Sequence, residues 1–203
     1  GGIDPLLYDF EKVFGMRLRA LRLVGIALKS LPEEFGDRLH SLETLSLANN
    51  EMVRLPESLY KMYSLSHLDV KNNKLVALPE KIGLMATNLV RIELSNNKLE
   101  SLPPTFAALV KIRRLDLENN CLRVLPENLD LMYMCEVINV NCNMLTRLPR
   151  CMGRMKSLKM VSANKNEISY IPLEICRSKS IQILRLCTNK ITALPENIGS
   201  MKG

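Results

Sequence analysis

Apolar and polar residues alternate along the chain in one short pattern that occurs eight times. In each unit the first, fourth, sixth and eleventh positions are apolar or small, and the unit closes with Leu-Pro or Ile-Pro. The units begin at residues 18, 42, 65, 89, 112, 135, 158 and 181, so they follow one another every 23 or 24 residues. A fixed period of this length predicts a repeat protein over residues 18–203.

The fourth and sixth positions alternate with outward positions, which is the period of a half-buried β-strand. One short strand cannot bury its own apolar side, so neighbouring units have to stack. Proline lacks an N–H group and fixes φ, so the prolines are expected to begin an irregular return segment. The sequence therefore predicts an α/β solenoid with a parallel β-sheet on one side and irregular return segments on the other.

Two further rows of residues are predicted to point inward. Seven units carry asparagine at the ninth position, where an amide can satisfy backbone groups of the turn after the strand: Asn50, Asn73, Asn97, Asn120, Asn143, Asn166 and Asn189. Three residues after each proline comes an apolar anchor, and a second anchor, often methionine, follows it. Ser178 interrupts the second row. Most of the methionines are thus predicted to fill the core.

Residues 1–17 do not fit the repeat and are predicted to form a capping helix. Asp4 is a suitable N-cap and Pro5 a suitable first helical residue. Leu6, Phe10 and Phe14 would lie on one apolar stripe that covers the first repeat. At the other end the sequence stops at a repeat boundary, so we expect the natural chain to continue beyond it.

The repeated unit, L-x-x-L-x-L-x-x-N-x-L-x-x-L-P, resembles that of leucine-rich repeat proteins, and the resemblance covers residues 18–203. The resemblance implies a curved horseshoe with the parallel β-sheet on its concave side and irregular or 3-10 segments on its convex side. The 23-residue form ending in Leu-Pro is similar to intracellular Ras-group and Scribble-like scaffolds, and it also occurs in Roco GTPase–kinases and bacterial ubiquitin-ligase effectors. The resemblance implies a non-catalytic scaffold or adaptor that binds a protein on the concave face, in small-GTPase or kinase signalling. The alternative is the regulatory or substrate-recognition arm of a larger kinase, Roco GTPase or ubiquitin ligase.

The candidate partner-binding residues occupy the outward strand positions. Asp69, Glu93 and Asp116 form an acidic row, which either is neutralised within the protein, with Arg91 and Arg114 one pleat away, or engages a basic partner. Val137, Met160 and Ile183 form an apolar strip, which either is covered by another segment or binds a partner. The predicted partner-binding residues are His67, Asp69, Arg91, Glu93, Arg114, Asp116, Glu118, Val137, Asn139, Met160, Ile183 and Arg185.

The excess of basic over acidic residues lies in the last third of the chain. Residues 141–203 contain 11 Lys/Arg and 3 Asp/Glu, whereas the whole protein has a net charge of +7. This excess is either a solvated surface or a site for an anionic partner, and the candidates on the convex side are Arg150, Arg154, Lys156, Arg177 and Lys179. A row of stacking aromatic residues is missing, which disfavours nucleic-acid binding.

Other residue types give no support for catalysis. We find no phosphate-binding loop and no Ser–His–acid set, and a contact between His67 and Asp69 would be structural. None of the six cysteines forms a Cys-x-x-Cys pair, so no metal and no cofactor are expected. Unpaired cysteines and the lack of an Asn-x-Ser/Thr motif favour a reducing, cytoplasmic location. No apolar run is long enough to span a membrane, and a monomer is expected.

Overall fold

The computed structural model describes residues 18–200, and the predicted capping helix lies outside this range. Each unit contributes one three-residue strand that begins two residues after the start of the repeat. The eight strands are β1 (Ala20–Arg22), β2 (Thr44–Ser46), β3 (His67–Asp69), β4 (Arg91–Glu93), β5 (Arg114–Asp116), β6 (Val137–Asn139), β7 (Met160–Ser162) and β8 (Ile183–Arg185). They form one parallel sheet in the order of the sequence.

The segments on the other side of the solenoid are mainly short 3-10 helices, as predicted. These are Glu57–Lys61, Ile82–Thr87, Pro104–Ala108, Leu129–Leu131, Arg150–Arg154 and Glu196–Ser200. Two repeats instead form a single α-helical turn, α1 (Phe35–Arg38) and α2 (Leu173–Cys176). The repeat prolines begin these segments in an extended conformation, with φ of −68° at Pro56 and −63° at Pro103. Together with the sheet, these segments confirm the predicted solenoid.

The core is one continuous apolar column between the sheet and the return segments. Strand register places the same repeat position side by side, as in Leu45↔Leu68 and Ile92↔Leu115. The first-row anchors from Phe35 to Ile175 are fully buried. Met62, Met85, Met132 and Met155 are also buried, which confirms that these methionines fill the core.

The turn after every strand bends through a left-handed residue at the eighth position. Asparagine adopts this conformation more readily than other residues with a β-carbon, and it occupies the position in four consecutive repeats. Here φ is 57° at Asn49, 54° at Asn72, 56° at Asn96 and 55° at Asn119. Thr188 has φ of 57° at the same position, an unusual conformation for a β-branched residue. The backbone of the turn is therefore fixed by the repeat rather than by the residue type.

The cysteines are free and differ sharply in their surroundings. Cys135, Cys151 and Cys176 are buried, whereas Cys187 is exposed. Burial raises the pKa of the Cys135 thiol to about 12, because the apolar core disfavours the thiolate. The reactive thiolate is thus suppressed at Cys135 at neutral pH.

We expect iodoacetamide at mildly alkaline pH to alkylate Cys187 first and to leave Cys135 unmodified in the folded protein. Peptide mass spectrometry after timed quenching would measure both rates. In guanidinium chloride all six cysteines should react at similar rates, which serves as the control. Equal labelling of Cys135 and Cys187 in the folded protein would contradict the buried position of Cys135.

Candidate functional site

The outer face of the sheet is built from the third, fifth and seventh positions of each repeat. Parallel register aligns these positions into rows across strands about 4.8 Å apart. Thr44 pairs with His67 and Ser46 with Asp69. His67 in turn pairs with Arg91 and Asp69 with Glu93. The third and fifth positions of neighbouring repeats therefore lie side by side along the sheet.

Two adjoining cavities open on this face. One, of about 410 Å³, lies over β1–β4, and the other, of about 600 Å³, lies over β3–β5. They share His67, Arg91 and Glu93 in their walls. We call the combined depression the charged groove, defined by Arg22, His67, Asp69, Lys71, Arg91, Glu93, Arg114 and Asp116.

Side chains within the protein already bind the acidic row. Asp69 accepts hydrogen bonds from the Ser46 hydroxyl at 3.1 Å and from the Lys71 backbone N–H at 3.2 Å. Arg91 donates to Glu93 Oε1 through Nε at 2.8 Å and Nη2 at 2.6 Å. This geometry favours the interpretation that the acidic row is neutralised internally, and Arg91 plays the predicted part.

The third acidic residue is held differently from what the sequence indicated. Asn139 Nδ2 donates to both Asp116 Oδ1 and Glu118 Oε2, each at 3.0 Å. The Glu118 backbone N–H also donates to Asp116 at 3.1 Å. Asn139 is buried in the structure and holds the two carboxylates together.

Arg114 does not neutralise the acidic row. Its side chain is exposed and has no hydrogen-bond or ion-pair partner among residues 18–200. The same holds for Arg22 within that range, at the opposite end of the charged groove. Within residues 18–200, the groove thus presents two guanidinium groups without an internal partner.

His67 hydrogen-bonds its neighbour rather than Asp69. Its Nδ1 lies 2.8 Å from the Ser66 hydroxyl, and that hydroxyl also lies 3.0 Å from the Glu43 carbonyl oxygen. The contact between His67 and Asp69 considered from the sequence is therefore not formed. The ring of His67 remains exposed on the shared wall of the two cavities.

The apolar strip is less exposed than its sequence indicated. Val137 and Met160 are half-buried and lie side by side on neighbouring strands. Ile183 is 43% exposed and lies on β8, the last strand described. Arg185, on the same strand, is also exposed. Exposure of the strip is therefore concentrated at one end of the sheet.

Some lining residues were not among the predicted ones, although the repeat register contained them. Arg22, Thr44 and Lys71 line the first cavity, and Arg113 lines the second. Arg22 and Lys71 occupy the same outward fifth and seventh positions as predicted residues, so their rows were the available signal. Arg113 lies one residue before its strand and outside the outward rows. Nothing in the sequence therefore indicated that it lines the cavity or that it forms an ion pair with Glu136 at 3.3 Å.

Two kinds of feature, a cluster of metal ligands and a membrane-spanning helix, are not found in the described part of the chain. No three His, Cys, Asp or Glu side chains between residues 18 and 200 come together in a way that would hold a metal ion. Within the same range, no helix is both long and apolar enough to cross a bilayer.

Comparisons with solved structures find the same fold in proteins of several kinds. A leucine-rich repeat protein of Leptospira interrogans is 32% identical, with a TM-score of 0.84, and the match covers 93% of this chain and 48% of that one. The plant peptide hormone receptor RGFR1 in complex with RGF2 is 26% identical, with a TM-score of 0.77, and the match covers 91% and 31%. An internalin of Listeria monocytogenes, 21% identical with a TM-score of 0.73, shares the fold over 87% and 49%.

The matched region is half or less of each of these proteins. No match was found among curated protein sequences. The sequence model of the leucine-rich repeat matches residues 16–75 and 63–122, which together are more than half of the chain. The chain therefore belongs to the leucine-rich repeat family.

Proposed function

We propose that this protein is a non-catalytic binding module that takes a protein segment into the charged groove. Proteins of this family generally mediate protein–protein interaction. The observation that carries the proposal is the pair of adjoining cavities on the outer sheet face, with Arg22 and Arg114 unpaired among the described residues. One solved neighbour is a peptide hormone receptor in complex with its ligand, which supports binding of a protein or peptide.

The charge arrangement favours a partner that carries carboxylates. The acidic row is already hydrogen-bonded, so a basic partner would have to displace Arg91 and Asn139 from it. Arg114, in contrast, can bind a carboxylate in a bidentate geometry without breaking an internal contact. Arginine in a depression of this kind often contributes a large share of binding energy.

The proposal also includes the biological role of the protein. A scaffold or adaptor in small-GTPase or kinase signalling, monomeric and cytoplasmic, fits the resemblance of the 23-residue unit and the free cysteines. The alternative is the recognition arm of a larger enzyme, which the matched proteins' greater length keeps open. The length of the natural gene product would separate the two.

We expect Arg22→Ala/Arg114→Ala to weaken binding of the partner about tenfold, because both substitutions remove exposed guanidinium donors from the groove. Affinity capture with the wild-type chain, followed by quantitative mass spectrometry, would identify the partner. The dissociation constant would then be measured for the purified pair. Lys98→Ala/Arg123→Ala is the matched control, since both residues are exposed and lie outside the groove.

Circular dichroism would confirm that all variants are folded. A further variant, Ile183→Asp, tests the apolar strip. It should mainly increase the dissociation rate of the complex if the strip also contacts the partner. Capture of the same proteins with equal affinity by the wild type, the groove variant and the control would show that the charged groove is not the binding surface.

A further inference from the structure

A second surface lies away from the sheet, at the edge where the chain enters the strands. The twentieth and twenty-second positions of repeats six and seven are all basic: Arg154, Lys156, Arg177 and Lys179. They surround a cleft of about 440 Å³ whose remaining wall includes Met155 and Ser180. All four side chains are exposed. We call this depression the basic cleft.

The charge of the basic cleft is largely unopposed. Arg154 pairs with Asp130 of the preceding repeat at 2.9 Å. The side chains of Lys156, Arg177 and Lys179 have no ion-pair or hydrogen-bond partner within residues 18–200. Arg150, also a candidate from the sequence, lies outside the cleft and is 3.9 Å from Glu174. Three exposed cations around one depression create a local positive potential.

The loop that carries two of these cations is braced from inside. Ser178, which interrupts the row of apolar anchors, is only 3% exposed. Its hydroxyl oxygen accepts from the backbone N–H groups of Ser180 and Ile181, each at 3.3 Å. Ser180 Oγ donates to the Met155 carbonyl oxygen at 2.7 Å and so ties repeat seven to repeat six. A rigid cleft loses less conformational entropy when it binds a ligand.

An exposed apolar pair adjoins the basic cleft. Leu131 and Tyr133 occupy the twentieth and twenty-second positions of repeat five and are 53% and 58% exposed. Leu131 is the chain neighbour of Asp130, the partner of Arg154. Because equal repeat positions lie side by side, the apolar pair continues the two rows of cations. Tyrosine combines apolar area with a polar end, which suits it to interfaces.

We propose that the basic cleft and the Leu131–Tyr133 pair form a second docking surface, for an acidic protein segment with an apolar residue beside its carboxylates. The cations of the basic cleft would bind the carboxylates of the segment by charge complementarity, and Leu131 and Tyr133 would contact the apolar residue beside them. A bilayer surface fits less well, because the cations surround a depression instead of facing one plane. They are also confined to two repeats: Leu84, Ala108 and Leu131 occupy the twentieth position in the three repeats before them.

The proposal is tested by fluorescence anisotropy with the full chain and a fluorescein-labelled peptide of glutamates flanking one phenylalanine. We expect Lys156→Glu/Lys179→Glu to weaken binding about tenfold or more, because each reversal places like charge against the peptide. Lys98→Glu/Arg123→Glu changes the net charge equally at exposed positions outside the cleft and should bind nearly as the wild type does. Leu131→Ser/Tyr133→Ser should weaken this peptide but leave a peptide without phenylalanine unaffected.

Three outcomes would overturn the proposal. Equal losses in the cleft variant and its matched control would mean that the peptide senses only net charge. The absence of any peptide binding by the wild type at low salt would mean that the cleft does not hold carboxylates. The third outcome is that the wild type sediments with phosphatidylserine–phosphatidylcholine vesicles but does not bind the peptide, and that the cleft substitutions abolish this sedimentation. The surface would then bind a membrane instead.

Discussion

Replacing Gly83 with alanine is expected to lower the free energy of unfolding by about 3 kcal/mol, more than a typical exposed glycine replacement. A β-carbon on Gly83 would overlap the carbonyl oxygen of Thr105 and would lie 2.7 Å from its carbonyl carbon. Carbon atoms pack favourably at about 3.5–4.0 Å, so the backbone of repeat four would have to move away. Because that backbone belongs to the next 3-10 segment, the displacement would disturb the stacking of two repeats.

The same arrangement occurs at two other junctions. A β-carbon on Gly36 would overlap the Ser58 carbonyl oxygen, and one on Gly153 would overlap that of Glu174. All three glycines occupy the nineteenth position, and each faces the seventeenth position of the following repeat. These junctions therefore set how closely neighbouring repeats approach on the side opposite the sheet.

Urea denaturation monitored by circular dichroism would measure the effect of Gly83→Ala. Ala107→Gly is the matched control, since Ala107 holds the nineteenth position in repeat four and accommodates its β-carbon in the core. We expect that control to lose only about 1 kcal/mol through backbone entropy and lost packing. A denaturation midpoint of Gly83→Ala equal to that of the wild type would show that these two repeats can separate without cost.

The sequence predicted the parts of the molecule that the repeat period determines. Strand register and the buried rows both follow from equal positions lying side by side. The period does not determine which rotamer a surface side chain adopts. This is why Asn139 rather than Arg114 holds Asp116, and why His67 binds Ser66 rather than Asp69.

In the two proposed surfaces as well, the repeat pattern determines the positions of the residues but not the contacts of their side chains. The rows of the charged groove could be predicted from the outward strand positions. The lack of a partner for the Arg114 side chain within residues 18–200 depends on side-chain geometry, which the repeat pattern does not determine. For the basic cleft, the sequence showed the excess of basic residues in the last third of the chain, and the repeat positions indicated which of them lie on the convex side. The bracing by Ser178 appeared in the sequence only as an interruption of an apolar row. A polar residue at a core position is therefore a useful signal that a nearby loop is being held.

The ninth-position asparagines give the second large expected effect. Asn120→Ala and Asn143→Ala should each lower the free energy of unfolding by about 1–3 kcal/mol, because buried backbone groups would lose their partners. Asn120 Nδ2 donates to the carbonyl oxygens of Leu94 and Leu117, each at 3.1 Å. Its Oδ1 accepts from the Leu99 backbone N–H at 3.0 Å. One amide thus joins its own repeat to the preceding one.

Asn143 repeats this geometry one unit later, with Nδ2 at 3.0 Å from the Leu117 carbonyl oxygen and Oδ1 at 3.0 Å from the Leu122 backbone nitrogen. Both amides contact the Leu117 carbonyl oxygen, so the two substitutions together should not be additive. Urea titrations of both single variants and the double variant would measure this coupling.

Asn128→Ala is the control. The Asn128 side-chain amide makes one hydrogen bond near the surface, to the Pro104 carbonyl oxygen, and should contribute about 0.5 kcal/mol or less to the free energy of unfolding. Unchanged midpoints in both single variants would mean that water replaces the amides, and that the asparagine row contributes little to the stacking of successive repeats.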